Sequence, residues 1–238
     1  PKEIPLGAIR FNSDSQKLEY WNGTIWLQIH SFSPNLNGGA RGTFAGGFSP
    51  SNSDRIDFIT IPTTGNATDF GNLIAAKGAA GCCASNTRGF MGGGGGGGNV
   101  NTIQFWEFSS TGDAVDFGDL QSARHWTQPA SNQTRGVWAG GHPSSNVIEF
   151  VTMASAGNSV NFGDMSYVTA VGANSANNSP TRGFFGGGTP TNNNIIEFIN
   201  FGSTGNSMDF GDSSTQIARE ARGSSATRAL LIGGVRPE

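Results

Sequence analysis

Three histidines are the side chains most suited to catalysis or metal binding, yet their spacing fits neither role. His30, His125 and His142 are scattered, without the close spacing of metal ligands. No Ser, His and Asp form a set with a recognisable motif around it. Paired carboxylates for glycoside hydrolysis cannot be recognised without a pocket. We therefore predict no catalytic residue, no metal and no cofactor.

One short stretch places cationic and aromatic side chains side by side, which suits contact with a ligand or a partner. Arg124, His125 and Trp126 are consecutive, and His142 follows a glycine pair in another variable segment. Exposed aromatic rings stack on sugars or contact other proteins. We predict these four residues as the contact site. The alternative is that the histidines are solvated loop residues.

The only two cysteines, Cys82 and Cys83, are adjacent. Neighbouring cysteines cannot link distant elements of a fold. The sequence therefore favours two inert buried thiols over a redox pair or a vicinal disulfide.

The elements that position these side chains come from an internal repeat of about 47 residues. By subtraction of their numbers, five arginines lie 47, 47, 47 and 46 residues apart, and two glycines follow each one at the fifth and sixth positions. The arginines are Arg41, Arg88, Arg135, Arg182 and Arg228. The glycine pairs begin at Gly46, Gly93, Gly140, Gly187 and Gly233. Repetition at this period indicates an array, a solenoid or a propeller.

Three further motifs complete each unit. An Ile-x-Phe follows the glycine pair, a Phe-Gly closes the unit, and Gly with Asn or Asp stands between them as a hairpin turn that tolerates positive φ. In chain order, the Ile-x-Phe, the turn and the Phe-Gly of the four copies lie at 56–58, 65–66 and 70–71, at 103–105, 112–113 and 117–118, at 148–150, 157–158 and 162–163, and at 196–198, 205–206 and 210–211. A looser fourth segment follows at 74–84, 121–130, 166–174 and 214–223. Loops after the glycine pairs vary in length, which predicts that they are exposed on one side.

We predict structural roles for the repeated residues. A glycine pair at the end of a strand permits close packing and a turn with positive φ. Each arginine is expected to reach a neighbouring carbonyl or carboxylate, because its guanidinium satisfies several acceptors. The candidate carboxylates are Asp69, Asp116 and Asp209, with Asn161 in the third copy. The Ile and Phe of Ile-x-Phe should share one sheet face and be buried between sheets.

The composition predicts an all-β protein that does not bind nucleic acid. Charged residues are 13% of the 238 residues, against ~25% in typical domains. No apolar run has helical spacing, and none approaches the ~20 residues of a membrane helix. The net charge of −3 provides no basic groove for nucleic acid.

The units resemble kelch repeats, which carry a double glycine after an apolar strand. The fourth copy has GFFGG at Gly183–Gly187, followed by NIIEFINF, and the resemblance covers roughly residues 38–234. It implies a β-propeller built from four-stranded blades of about 47 residues. We assign residues 37–238 to this propeller.

Residues 1–36 differ from the repeats and contain three strand candidates, 8–11, 17–21 and 24–29, with Asn22-Gly23 as a hairpin signal. Their text, PLGAIRFNSDSQKLEYWNGTIWLQI, resembles a segment of tail-fibre and other virion proteins of tailed bacteriophages. The resemblance implies a non-enzymatic virion protein that faces the exterior. Its expected partners are other virion proteins, a host-surface glycan or receptor, and further copies of itself. The alternatives are a propeller enzyme that degrades polysaccharide and a cellular interaction module.

The number of blades depends on how the array closes. Five Arg strands are followed by only four Ile-x-Phe and four Phe-Gly strands. Because an open sheet edge is avoided in natural β proteins, we predict that the N-terminal strands complete a fifth blade. The alternative is a four-bladed ring with a separate N-terminal hairpin.

Overall fold

The computed structural model describes residues 4–13, 17–28, 41–48, 50–171, 176–189, 194–216, 218–225 and 227–234. In these ranges all of the helical or extended regular structure is β-strand, which confirms the predicted all-β class. The chain divides into two compact units, residues 1–36 and residues 37–238. His30 lies outside the described residues.

The first unit is a three-stranded antiparallel sheet. Its strands pair in chain order and are β1 (Ile9–Asn12), β2 (Lys17–Trp21) and β3 (Trp26–Gln28). The Asn22 N–H donates to the Ile25 carbonyl. The two central residues of this turn are therefore Gly23 and Thr24, one position later than the sequence predicts.

The second unit consists of five antiparallel sheets in chain order. Sheet one holds β4 (Arg41–Ala45), β5 (Ser53–Thr60) and β6 (Thr68–Lys77). Sheet two holds β7 (Gly81–Ala84), β8 (Arg88–Gly92), β9 (Thr102–Glu107) and β10 (Val115–Asp119). Sheet three holds β11 (Gln128–Ser131), β12 (Arg135–Ala139), β13 (Ser145–Thr152) and β14 (Val160–Thr169). Sheet four holds β15 (Arg182–Gly186), β16 (Ile195–Asn200) and β17 (Met208–Asp212), and sheet five holds β18 (Ala221–Ser224) and β19 (Ala229–Ile232).

The four-stranded sheets correct the predicted position of the fourth strand. In sheets two and three a short strand precedes the Arg strand and pairs with it, giving the order β7-β8-β9-β10 and β11-β12-β13-β14. The sequence predicts this strand at the end of the preceding unit. Its predicted segment is shared between two sheets, because residues 74–77 complete β6 whereas residues 81–84 form β7.

Consecutive sheets are joined by hydrogen bonds between a Phe-Gly strand and the turn of the next repeat. The N–H groups of Gly112 and Ala114 donate to the carbonyls of Phe70 and Asn72, both at 2.8 Å. The Asp113 carboxylate accepts from the Asn72 N–H at 2.9 Å. The same bonds recur between 157–159 and 117–119 and between 205–207 and 162–164. The Asn or Asp of the turn therefore connects neighbouring repeats.

This contact requires glycine in the Phe-Gly strand. Gly71, Gly118 and Gly163 have φ of 149°, 148° and 156°. A Cβ on Gly118 would lie 2.4 Å from the carbonyl oxygen of Gly157 in the next turn. Gly157 of the turn has no such need, since it has no positive φ and nothing lies within 4 Å of an added Cβ.

The glycine pairs form the predicted turn with positive φ. The first glycine of all five pairs has φ between 60° and 69°, and the second has φ between 105° and 120°. The second glycine of the first three pairs donates its N–H to a carbonyl that follows the Phe-Gly motif of the same repeat. These bonds join Gly47 to Lys77, Gly94 to Arg124 and Gly141 to Thr169.

The repeated arginines also connect neighbouring repeats. Nη1 of Arg88 donates to the Met153 carbonyl of the next repeat at 2.9 Å. Equivalent bonds run from Arg41 to the Phe108 carbonyl and from Arg135 to the Phe201 carbonyl. These carbonyl partners confirm one predicted role. The predicted pairing with the aspartates of the Phe-Gly strand is wrong for these three arginines, and the carboxylate partner of Arg88 is Glu107, at 2.6 Å across the strand pair.

The core lies between consecutive sheets. Its most buried repeated residues are Ile56, Ile103 and Ile148 at 0% exposure and Phe70, Phe117 and Phe162 at 3% exposure. Of the phenylalanines in Ile-x-Phe, Phe150 is buried as the sequence predicts, whereas Phe58, Phe105 and Phe198 are only half-buried. These rings lie at the edge of the sheet beneath the repeat arginine, whose guanidinium carbon is 4.5 to 4.9 Å from the ring centroid.

Replacement of Gly118 by alanine should destabilise the whole array. The new Cβ would collide with the Gly157 carbonyl oxygen and hold alanine at a strained φ, so we expect a loss above ~2 kcal/mol in the free energy of unfolding. The control Gly157→Ala should change it by less than ~1 kcal/mol. Urea denaturation measures both variants, and equal stability of the two would contradict the contact.

Candidate functional site

The structure brings three of the four predicted contact residues together. His125 and Trp126 lie between β10 and β11, and His142 follows the glycine pair at the end of β12. The His125 N–H donates to the His142 carbonyl at 3.1 Å, and the His142 N–H donates to the His125 carbonyl at 2.7 Å. The two loops are therefore fixed to each other through their backbones.

The side chains of these residues form one cluster of rings at the surface. The ring centroids of His125 and Trp126 are 4.4 Å apart, and those of His125 and His142 are 5.0 Å apart. The Trp126 and His142 rings are 6.5 Å apart and nearly perpendicular. His142 is exposed, whereas His125 and Trp126 are half-buried. The cluster therefore combines a partly covered indole with an accessible imidazole.

Asn99, from the loop between β8 and β9, orients His125. Its Oδ1 lies 2.6 Å from His125 Nδ1, and its Nδ2 donates to the His142 carbonyl at 3.3 Å. Because an amide oxygen only accepts, His125 Nδ1 carries the proton of this bond. The other ring nitrogen, Nε2, is thus left to accept a proton when the imidazole becomes charged.

Arg219 belongs to the same cluster although sequence reasoning missed it. Its guanidinium carbon lies 5.4 Å from the centroid of the Trp126 ring, and the side chain is exposed. Ala79, Trp126 and Arg219 all have positive φ, of 56°, 54° and 60°, and each stands two residues before β7, β11 or β18, the short strands that precede the Arg strands and are called inner strands below. This shared position is the only signal for Arg219, and it requires knowing where the inner strand begins. We call His125, Trp126, His142, Asn99 and Arg219 the loop cluster.

The loop cluster carries basic groups without acidic partners. In the part of the chain that the structure describes, His125, His142 and Arg219 make no ion pair with a carboxylate. Burial lowers the pKa of His125, and the neighbouring His142 lowers it further. His125 is therefore mainly neutral at neutral pH and is charged only in more acidic solution.

Arg124, the fourth predicted contact residue, is not at the surface. Its side chain is buried, and its Nη1 donates to the Gly140 carbonyl at 2.9 Å. Its Nη2 pairs with the carboxylate of Glu149, which is also fully buried. Burial lowers the pKa of Arg124 to about 10, which leaves it charged at neutral pH. The predicted contact role of Arg124 is therefore corrected to a structural one, because its charge is satisfied inside the repeat.

The middle residue of Ile-x-Phe is a second set that sequence reasoning missed. Gln104, Glu149 and Glu197 are buried and accept hydrogen bonds from backbone N–H groups of the preceding repeat. These bonds come from Ile74 at 2.9 Å, Gln121 at 2.7 Å and Ser166 at 3.2 Å. The sequence carries one signal for this set, because the middle residue of Ile-x-Phe has a side-chain carbonyl or carboxylate oxygen in all four copies, Asp57 included.

The two cysteines and the buried glutamates of sheets three and four have structural surroundings. Burial raises the pKa of Cys82 to about 12 and also raises the pKa of Cys83, so both thiols stay protonated. The Glu149 and Glu197 carboxylates bind backbone N–H groups and the hydroxyls of Ser159 and Ser207. Among the described residues, no group of three or more His, Cys, Asp or Glu is placed to hold a metal ion.

A cavity of about 500 Å³ lies between sheets four and five. Phe184, Phe210 and Leu231 form its apolar part, and the repeat arginines Arg182 and Arg228 also line it. Phe210 is 57% exposed, whereas its counterpart Phe117 is 3% exposed, since no described turn lies against the fourth Phe-Gly strand. Phe210 therefore borders an open cavity, whereas its counterparts in the earlier repeats are covered by side chains of the next repeat.

Comparison with known protein families and with curated proteins finds no match to this chain. Within the described residues, no helix has the length and apolar character needed to cross a membrane. Any functional assignment must therefore come from the residues themselves.

A double-variant cycle should establish the structural role of Arg124. Glu149→Leu leaves a buried guanidinium unpaired, so we expect a loss of ~3–5 kcal/mol in the free energy of unfolding. The double variant Arg124→Met, Glu149→Leu should lose less, because it removes both charges. Urea denaturation measures the cycle, and a loss below ~1 kcal/mol for Glu149→Leu would contradict the buried pair.

Proposed function

We propose that this chain is a non-enzymatic virion protein of a tailed bacteriophage, acting as a tail-fibre, appendage or decoration protein. It binds a host-surface glycan or a neighbouring virion subunit through the loops at the glycine-pair end of the repeats. The observation that carries the proposal is the loop cluster, in which His125, Trp126 and His142 are held at the surface by a rigid repeated frame. An aromatic ring beside two imidazoles and a guanidinium suits contact with sugar or protein.

The N-terminal unit supports the virion setting. Its sequence carries the resemblance to phage fibre proteins over about 22 residues. Its sheet is small and exposes Ile9 and Phe11 on one strand, at 66% and 64%. Exposed apolar side chains on a short sheet favour assembly with another surface. A virion protein that faces the exterior satisfies both features.

The fold that we propose for residues 37–238 is a β-propeller. Trp126 precedes sheet three and Arg219 precedes sheet five, yet the two side chains are in contact. A cavity of about 350 Å³ is bordered jointly by Thr43 of sheet one, Ala84 of sheet two, Ser131 of sheet three and Asn178 before sheet four. Sheets that curve around one axis account for both observations. We propose five blades, with the fifth completed by N-terminal strands.

A polysaccharide-degrading enzyme on the same fold is the less favoured function. It needs two or three carboxylates that converge in one open cleft. The most buried carboxylates of sheets three and four, Glu149 and Glu197, instead bind backbone and serine groups. A reducing-sugar assay with host-envelope glycans tests this alternative, and released sugar would support it.

The binding function predicts a loss of attachment without a loss of stability. We expect the chain to be found in purified virions by mass spectrometry, and the purified protein to bind host cells. Exchange of residues 142–144 for Gly-Ser-Gly should weaken binding but shift the melting temperature by less than ~3 °C, since this exposed loop contributes little to the core. Exchange of the exposed turn at 62–64, at the opposite end of the repeat, is the control. Parallel loss of binding and stability would assign the loop a structural role.

Closure by the N-terminal strands predicts that the two units unfold together. Leu230 and Ile232 of β19 are 58% and 55% exposed, so the fifth blade needs further strands to bury them. Deletion of residues 1–30 should then cause cooperative loss of the whole fold, monitored by calorimetry and circular dichroism. A truncated protein that melts like the full chain would refute this closure and favour a separate N-terminal hairpin.

A further inference from the structure

We propose that the loop cluster binds an anionic group, a carboxylate or a phosphate, carried by a sugar. Arg219 and His142 contact the anionic group, and Trp126 contacts the sugar ring. The inference rests on the proposed function, because it names the ligand class of the same surface.

The first support is the unbalanced charge of the loop cluster. Arg88, Arg124 and Arg55 each pair with a carboxylate within the described residues. Arg219 is exposed and has only the Trp126 ring as a described side-chain contact. The cluster therefore attracts negative charge in a protein whose net charge is −3. A guanidinium offers a planar pair of donors that matches a carboxylate or a phosphate.

The second support is that the basic groups surround one indole. Arg219 lies 5.4 Å from the Trp126 ring centroid, and the His125 and His142 rings lie 4.4 and 6.5 Å from it. A half-buried indole provides apolar area for the C–H face of a sugar. An acidic sugar presents an apolar face and a charged group about one ring width apart, which fits this arrangement.

The third support is that the groups are held in place. Backbone bonds in both directions join His125 to His142, and Asn99 holds His125 Nδ1. Trp126 is fixed to the neighbouring loop because its backbone N–H donates to the Ala79 carbonyl at 2.7 Å. Binding therefore requires little ordering of the backbone, which lowers its entropic cost.

The site should bind more tightly as the pH falls. The basic side chains around His125 in the loop cluster are His142, across the loop bridge, and Arg219, beside Trp126, while the adjacent Arg124 pairs with Glu149. Together with burial, His142 keeps the pKa of His125 below the ordinary 6.5. A bound anion favours the protonated ring, so affinity increases as the pH falls below about 6.5.

Calorimetric titration of the full chain tests the inference. The probes are a galacturonate trisaccharide, a phosphorylated trisaccharide and the neutral galactose trisaccharide, each at about pH 5.5 and pH 7.5 in low salt. The two acidic probes distinguish a carboxylate from a phosphate ligand. The variants are Arg219→Gln and His142→Gln. The control is Arg228→Gln, which removes the same charge from an exposed arginine directly before β19, at the end of that strand away from the glycine pair.

We expect at least one acidic probe to bind at least about tenfold more tightly than the neutral one, with a further gain at the lower pH. Arg219→Gln should lose about tenfold in affinity and Arg228→Gln should not. Equal binding by these two variants, or no binding of either acidic probe, would overturn the inference. If attachment to host cells or virions survives Arg219→Gln, the ligand class is wrong but the proposed function stands. If the chain is absent from purified virions, the proposed function is wrong, whereas a positive titration still supports the anion site.

Discussion

The array depends on the contact between each Phe-Gly strand and the Gly-Asn or Gly-Asp turn of the next repeat. Two backbone hydrogen bonds form at every junction between sheets one to four, and the Asn or Asp side chain of the turn accepts a third from a strand N–H. Side chains of the next repeat also cover the phenylalanine of the strand, so Phe70, Phe117 and Phe162 are buried whereas Phe210 is not. Because a single repeat cannot bury this residue alone, its stability comes largely from its neighbour, as in other repeat proteins.

Polar side chains reinforce the same junctions, both at one end of the sheet and inside it. At one end the repeat arginine donates to a carbonyl of the next repeat. Inside the sheet, Gln104, Glu149 or Glu197 accepts from a backbone N–H of the preceding repeat. A buried carboxylate is costly unless it is hydrogen-bonded, so these residues stabilise only a correctly stacked neighbour. The junctions are therefore specific as well as strong, which suits a protein with few charges and many glycines.

The sequence predicts the all-β class, the Arg strands and the glycine turns, because these depend on spacing and on φ, both of which are local. It fails where a residue acts on another repeat. The Asn or Asp of the turn predicts only a hairpin, yet its side chain accepts a hydrogen bond from the Phe-Gly strand of the preceding repeat. Arg124 looks exposed beside His125 and Trp126, but its partner Glu149 lies 25 residues away by subtraction and in another strand. The sequence also assigns the inner strand to the wrong repeat, because only its hydrogen bonds to the following Arg strand show which sheet it joins.

The repeated frame also explains why the side chain at one backbone position of the loop cluster differs from copy to copy. Ala79, Trp126 and Arg219 occupy equivalent backbone positions with similar positive φ, so the frame fixes where their side chains begin but not which side chains they are. The Ala79 carbonyl contributes only a backbone bond, whereas Trp126 and Arg219 contribute an aromatic ring and a charge to one surface. A residue at this position meets residues of other repeats without taking part in the Phe-Gly contact. Substitutions there can change the chemistry of this surface while the junctions that stabilise the array stay intact.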